Sequence, residues 1–134
     1  KNACGNLLIF FSDNILGPYK QHPKNPLTNS QNGSRPAGNF INVDGILYRP
    51  SQNCGNRYGE SITIHKLNVL NENEYKEEFY MQLTINKKNS LNRGIHTIHT
   101  INAVQGLIVV DGAKRLFAPL FKTKQWVKKR LGKL

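Results

Sequence analysis

The sequence predicts an all-β chain of antiparallel strands in hairpin order, followed by a short C-terminal amphipathic helix. Three observations carry that prediction. Short apolar runs recur along the chain, several of them alternating with period two, the pattern of a half-buried strand. The 11 Gly and 6 Pro residues, together with many Asn, fall mostly between those runs, where turns need them. Only the last stretch changes period: Leu120, Val127, Leu131 and Leu134 share one face at helical spacing, with Lys122, Lys128, Lys129 and Lys133 mostly away from it.

Taken in order, Leu7–Phe11 (LLIFF) reads as a buried strand between Gly5 and Ser12-Asp13-Asn14. Leu16-Gly17-Pro18-Tyr19 turns the chain, and the two prolines of QHPKNP forbid a helix interior or a central strand. Thr28–Gly33 is polar and reads as loop. Phe40–Val43 and Ile46–Tyr48 form a hairpin across Asp44-Gly45, a strong two-residue turn signal. Ser51–Tyr58 reads as loop. Ser61–Leu67 (SITIHKL) alternates cleanly, and Glu77–Ile85 places Phe79, Met81, Leu83 and Ile85 on one face. The segment 71–76 reads as one helical turn or a loop. Ile95–Ile101 is rich in β-branched residues, and Gly106–Val110 is closed by Asp111-Gly112. Consecutive four-stranded meanders suit propeller blades, and a sandwich or small barrel has the same periodicity.

A chain of 134 residues is long enough for one compact domain. No run of about 18 apolar residues marks a transmembrane helix. The chain opens at Lys1 with no signal-peptide pattern, so a piece of a longer chain or a processed product is expected. The net charge of +11 is concentrated at one end. Residues 1–111 carry 11 basic and 8 acidic side chains, whereas residues 112–134 carry 8 basic and none acidic. A tail of that kind fits a solubilising or docking helix better than a dedicated nucleic-acid surface. Cys4 and Cys54 are too few for a disulfide scaffold, and the sequence leaves open whether they pair. Asn32-Gly33-Ser34 fits the glycosylation pattern, a weak signal in an Asn-rich chain.

Several motifs then fall in a telling order. FFSDNILGPYKQHPKNP is followed by SRPAG, DGILYRPSQNC, YGESITIHKL, HTIH and VVDG. This order resembles the carbohydrate-active five-bladed β-propellers related to glycoside hydrolase families 43 and 32. More narrowly, it resembles the propeller domain of plant glucosamine inositolphosphorylceramide transferases, and of bacterial proteins that join such a domain to a formyltransferase-like domain. The residues that carry the likeness are Ser12, Asp13, Gly17 and Pro18, then His22, Pro23, Asn25 and Pro26, then Arg35–Gly38, Leu47–Gln52, Tyr58-Gly59, His96-Thr97 and Asp111-Gly112. It covers nearly all of residues 7–117. The resemblance implies about two blades over residues 1–119, the C-terminal part of a propeller, with residues 120–134 as the basic helix. It also implies a missing N-terminal part, or self-association, to cover open sheet edges.

Glycosidase chemistry uses two carboxylates about 5 to 10 Å apart. Asp44 and Asp111 each precede Gly and read as turn residues. Glu60 and Asp13 are therefore the catalytic candidates. Glu60 alternates with Ile62 and Ile64, which would turn it toward an apolar interior and suit a general acid; the competing reading is an exposed strand-end carboxylate. Asp13 competes with a role accepting backbone N–H groups in its turn. Arg35 and Arg49 each precede proline and are held extended, where a guanidinium can grip a carboxylate or phosphate bidentately. The competing reading pairs them with local acids or carbonyls. Gln52 and Asn53 accompany them, and the resemblance adds Tyr58 and places His96 on the channel side. His96 and His99 face opposite sides of a strand and cannot chelate one metal. His22 reads as loop packing. No metal site, phosphate loop or nucleophile elbow is present in the pattern, and no cofactor is expected.

The expected function is a carbohydrate-active propeller domain, glycoside-hydrolase-like or part of a glycosyltransferase, acting on a sugar, an anionic sugar derivative or a nucleotide-sugar. The alternatives are a non-catalytic sugar-binding or scaffold module and, more weakly, nucleic-acid binding through the basic tail.

Overall fold

The computed structural model describes residues 5–85, 93–100 and 108–113. Every regular element among them is a β-strand. Strands β1 (Asn6–Leu7) and β4 (Thr28–Asn29) pair antiparallel, as do β2 (Phe10–Phe11) and β3 (Lys20–Gln21). The centre is a four-stranded antiparallel meander of β5 (Ile41–Val43), β6 (Ile46–Asn53), β7 (Ser61–Leu70) and β8 (Tyr75–Leu83). A hairpin of β9 (Gly94–Thr100) and β10 (Ile108–Ala113) follows.

The β5–β6 turn forms as the Asp44-Gly45 pair predicts. Both residues take positive φ, 50° and 82°, the geometry that matches the twist of a two-residue hairpin. The β7–β8 connection is a loop closed by Asn71, whose Oδ1 accepts from the N–H groups of Asn73 and Glu74.

Several expectations are corrected. LLIFF is two short strands, not one buried strand: Leu7 is buried but Phe10 is 52% exposed. Thr28-Asn29 is strand rather than loop because it pairs with Asn6-Leu7. Phe79 and Met81 lie on an exposed part of β8. The largest difference is β6, which runs on through Arg49-Pro50-Ser51-Gln52-Asn53 and pairs with β7 as far as Asn53↔Ser61. Pro50 is tolerated because of where its missing donor points. Its carbonyl accepts from Ala37 N–H, so its nitrogen faces the 35–37 segment and the ladder to β7 stays intact. Asp111-Gly112 lies within β10, at a register shift between Val110 and Gly112, and does not close the strand. The predicted C-terminal helix lies outside the described residues, as does Cys4.

The core joins the meander to the last hairpin. Ile62 and Ile64 of β7, Ile95 and Ile98 of β9, and Ala37 are buried together. Arg35–Gly38 is the staple between the two sheets. Ala37 N–H donates to Pro50 O on β6, and Ile98 N–H of β9 donates to Ala37 O. Gly38 is required at this crossing, since a Cβ there would lie 1.9 Å from Ile98 O.

Candidate functional site

Two polar centres emerge, and both set a carboxylate against a histidine. The first is enclosed by the meander. The polar face of β6 and β7 carries Arg49, Ser51, Thr63 and His65, and β8 delivers Tyr75 and Glu77 to the same face. Arg49 is 4% exposed. Its Nε and Nη2 grip both Glu77 oxygens at 2.7 Å, Nη2 also donates to Gly33 O at 2.8 Å, and Nε donates to Tyr75 Oη at 3.0 Å. Tyr75 Oη–H donates to Glu77 Oε2. Burial alone would raise the Glu77 pKa, but the hydrogen bonds from Arg49 and Tyr75 outweigh it and hold the carboxyl below its usual 4.5. Burial would lower the Arg49 pKa, and Glu77 reverses that. Burial raises the Tyr75 pKa, reinforced by the bond to Glu77.

His65 sits beside this pair, with Nε2 2.8 Å from Ser51 Oγ and Nδ1 3.7 Å from Glu77 Oε1. Burial, aided by the Arg49 charge, holds its pKa below 6.5 against the pull of Glu77. His65 is therefore neutral at pH 7, and the 3.7 Å contact is not an ion pair there. Ser51, His65 and Glu77 follow the order of a nucleophile relay. Ser51, however, is completely buried and its hydroxyl also faces Thr63 O, so no substrate reaches it.

The second centre is open. It lies where the Tyr58-Gly59 turn meets β9 and β10, around a cleft of about 400 Å³ lined by Arg57, Tyr58, Arg93, His96 and Asp111. Asp111 reaches back across the hairpin. Its Oδ1 accepts from the N–H groups of His96 and Thr97, and its Oδ2 lies 2.6 Å from His96 Nδ1. The small loss of solvation at Asp111 would raise its pKa; the bonds from His96 and Thr97 prevail and hold it below the usual 3.8. Tyr58 meets the His96 ring edge-on with centroids 5.1 Å apart, and the Arg35 guanidinium lies 5.0 Å from the Tyr58 ring centroid. Glycines permit the approach: a Cβ on Gly94 would lie 2.0 Å from Gly59 O, and one on Gly59 would lie 3.1 Å from His96 Cδ2. Among the described residues, neither Arg57 nor Arg93 has an ion-pair partner.

The residues singled out from sequence thus fall into different places. Arg35, Tyr58 and His96 come together at the open cleft. Arg49 has turned inward to Glu77. Gln52 is buried, donating its backbone N–H to Arg35 O, and Asn53 caps its own turn through Gly55 N–H. Glu60 does not point into an apolar interior: it is half-buried, accepts both bonds of the Asn56 amide, and lines a different cleft with Asn53 and Gln82. Asp13 is exposed and lines an apolar cleft with Phe10, Phe40 and Leu70. The turn bonds expected of Asp13 are made instead by Ser12 and Asn14. Glu60 and Asp13 thus line different clefts. His22 packs a loop as expected, accepting Lys24 N–H at Nδ1 and bonding Asn71 O through Nε2. Asp111, read as a turn residue, is the partner that sequence reasoning missed. Its signal was the pairing of HTIH with VVDG across a hairpin.

The described residues form an all-β frame with an arginine-flanked cleft beside a fixed imidazole, and sequence comparison narrows the class to glycosyltransferase-related proteins. The chain belongs to the family described as glucosamine inositolphosphorylceramide transferase 1, N-terminal, whose pattern matches residues 1–111. It is similar to glucosamine inositolphosphorylceramide transferase 1 of Arabidopsis thaliana, 35% identical over an alignment of 126 positions that covers 87% of this chain. It is also similar to the proteins of the same name in Oryza sativa subsp. japonica and subsp. indica, each 39% identical over 79 residues, 58% of this chain. The chain spans 16% of the Arabidopsis relative's length and 10% of each rice relative's. No solved structure matches it.

Proposed function

We propose that this chain is about two blades of a five-bladed, carbohydrate-active β-propeller, and that it serves glycosyl transfer by binding an anionic sugar derivative in the cleft between Tyr58 and His96. The observation that carries this reading is the cleft itself. Arg57 and Arg93 lie there without acidic partners among the described residues, while the one carboxylate present, Asp111, already accepts from three N–H groups. Such a surface favours an anion, and a phosphate suits guanidinium groups best. The relatives' name joins glucosamine to inositolphosphorylceramide, so a phosphorylated cyclitol or sugar headgroup is the ligand class.

Binding is favoured over hydrolysis by this chain alone, because Glu60 and Asp13 line different clefts rather than facing each other across one. The exposed edges at β8 and β10 fit the expectation of a further propeller part, or a second copy, packed against this one. Calorimetric titration of myo-inositol 1-phosphate against unphosphorylated myo-inositol tests the reading. The phosphorylated ligand binds more tightly by about tenfold or more, and Arg57→Ala or Arg93→Ala removes most of that preference. Arg35→Ala weakens binding less, by loosening Tyr58. Equal affinity for the two ligands would overturn the proposal.

A further inference from the structure

We propose that His96 reads a hydroxyl group of the bound ligand through Nε2, and that Asp111 is the positioning residue that makes this possible. The inference rests on the reading of the cleft as a site for an anionic sugar derivative, and it concerns what that site selects beyond charge.

The argument follows from donors and acceptors. Asp111 accepts at every contact it makes: Oδ1 from two backbone N–H groups and Oδ2 from the imidazole. A carboxylate in that role has nothing to donate, so the proton of a neutral imidazole resides on Nδ1. Nε2 is then an acceptor. Tyr58 contacts the ring edge-on and Gly59 closes against Cδ2, which fixes the plane of the ring as well as its tautomer. The other polar side chains that line the cleft, apart from the Tyr58 phenol, are Arg57 and Arg93, which only donate. A phosphate monoester dianion with no hydroxyl group would satisfy the arginines and leave Nε2 without a donor. A phosphorylated polyol supplies both halves, with anionic oxygens for the guanidinium groups and a hydroxyl hydrogen for Nε2. His96 therefore distinguishes a hydroxyl-bearing phosphate ester from the matching deoxy compound.

The test is a ligand-by-variant cycle on the 134-residue chain. Affinities of myo-inositol 1-phosphate and its single-deoxy analogues are measured for the wild type, His96→Ala and His96→Gln, with nitrogen-15 NMR of His96 recorded at the same pH. One analogue is expected to bind the wild type about five- to tenfold more weakly, the loss of one hydrogen bond. That penalty disappears in His96→Ala, which still binds the phosphate through its arginines. The wild-type spectrum shows the Nδ1–H tautomer, and Asp111→Asn shifts the tautomer balance and shrinks the penalty. A deoxy penalty of the same size in His96→Ala overturns the role of His96 and leaves the cleft as a phosphate-ester site. A proton on Nε2 in the wild type, whether in the other neutral tautomer or in the imidazolium, also overturns it. If no phosphorylated ligand binds the wild type, the reading of the cleft fails and this inference fails with it. Thermal unfolding of each variant establishes that it is folded, and His96→Gln takes the place of His96→Ala where the alanine variant is not.

Discussion

Residues 49–77 and residues 57–113 each place a carboxylate against a histidine, with arginine close by, and the two places do different work. In the meander, Glu77 meets Arg49 in a nearly dry space, bidentate and backed by Tyr75. At the end hairpin, Asp111 holds His96 at a side-chain exposure of 37%, beside arginines without acidic partners among the described residues. The same chemical groups form a clamp when enclosed and, in the proposed reading, a recognition surface when open. Burial, rather than residue type, separates the two roles, because an enclosed charge must satisfy itself internally and an open one can satisfy a ligand.

The comparison is most severely strained by breaking the enclosed pair. Glu77→Gln or Arg49→Met leaves a buried charge without its partner and is expected to destabilise the fold by about 3–5 kcal/mol. Chemical denaturation measures this, and a loss below about 1 kcal/mol would show that the clamp is not structural. Next in size is Gly94→Ala. A Cβ there meets Gly59 O at 2.0 Å and the φ of 154° disfavours a side chain, so a cost of about 1–3 kcal/mol is expected, with the cleft displaced as well.

Acid sharpens the contrast further. His65 and Glu77 both have folded-state values below their unfolded ones, 6.5 and 4.5. Each therefore contributes stability that is present above its unfolded value and is lost as pH falls through its folded value. The melting temperature should be level between about pH 7 and 9 and fall on acidification, first from His65 and then, at lower pH, from Glu77. Glu77→Gln removes the lower stage. A melting temperature that rises on acidification would contradict the arrangement. The smallest effect is expected at Asp111→Asn, about 1 kcal/mol or less in stability, since the group is about half exposed and solvent screens it. Its consequence is for binding.

Local patterns were legible in the sequence where neighbours in the chain decide the structure. Asp44-Gly45 announces its hairpin, and SITIHKL announces β7, because turn chemistry and alternation act over a few residues. What the sequence hid was settled by distant partners. Pro50 reads as the end of a strand until Ala37 is seen to occupy the side its nitrogen faces. Arg49 reads as a ligand grip until Glu77, 28 residues on, takes both forks of the guanidinium. Asp111-Gly112 reads as a turn by the rule that identifies Asp44-Gly45; the β9 register brings His96 to it instead. Glu60 alternates with core isoleucines, but it stands before β7 begins and its side chain goes to Asn56.

The division between clamp and cleft is tested most directly by one measurement: the shift in melting temperature caused by myo-inositol 1-phosphate in Glu77→Gln, in the Arg57→Ala, Arg93→Ala double variant and in the wild type. The account predicts that Glu77→Gln melts lower yet keeps its ligand-induced shift, while the arginine variant melts near the wild type and loses the shift. The reverse pattern, with the shift lost in Glu77→Gln and kept in the arginine variant, would contradict it and move the binding site into the meander.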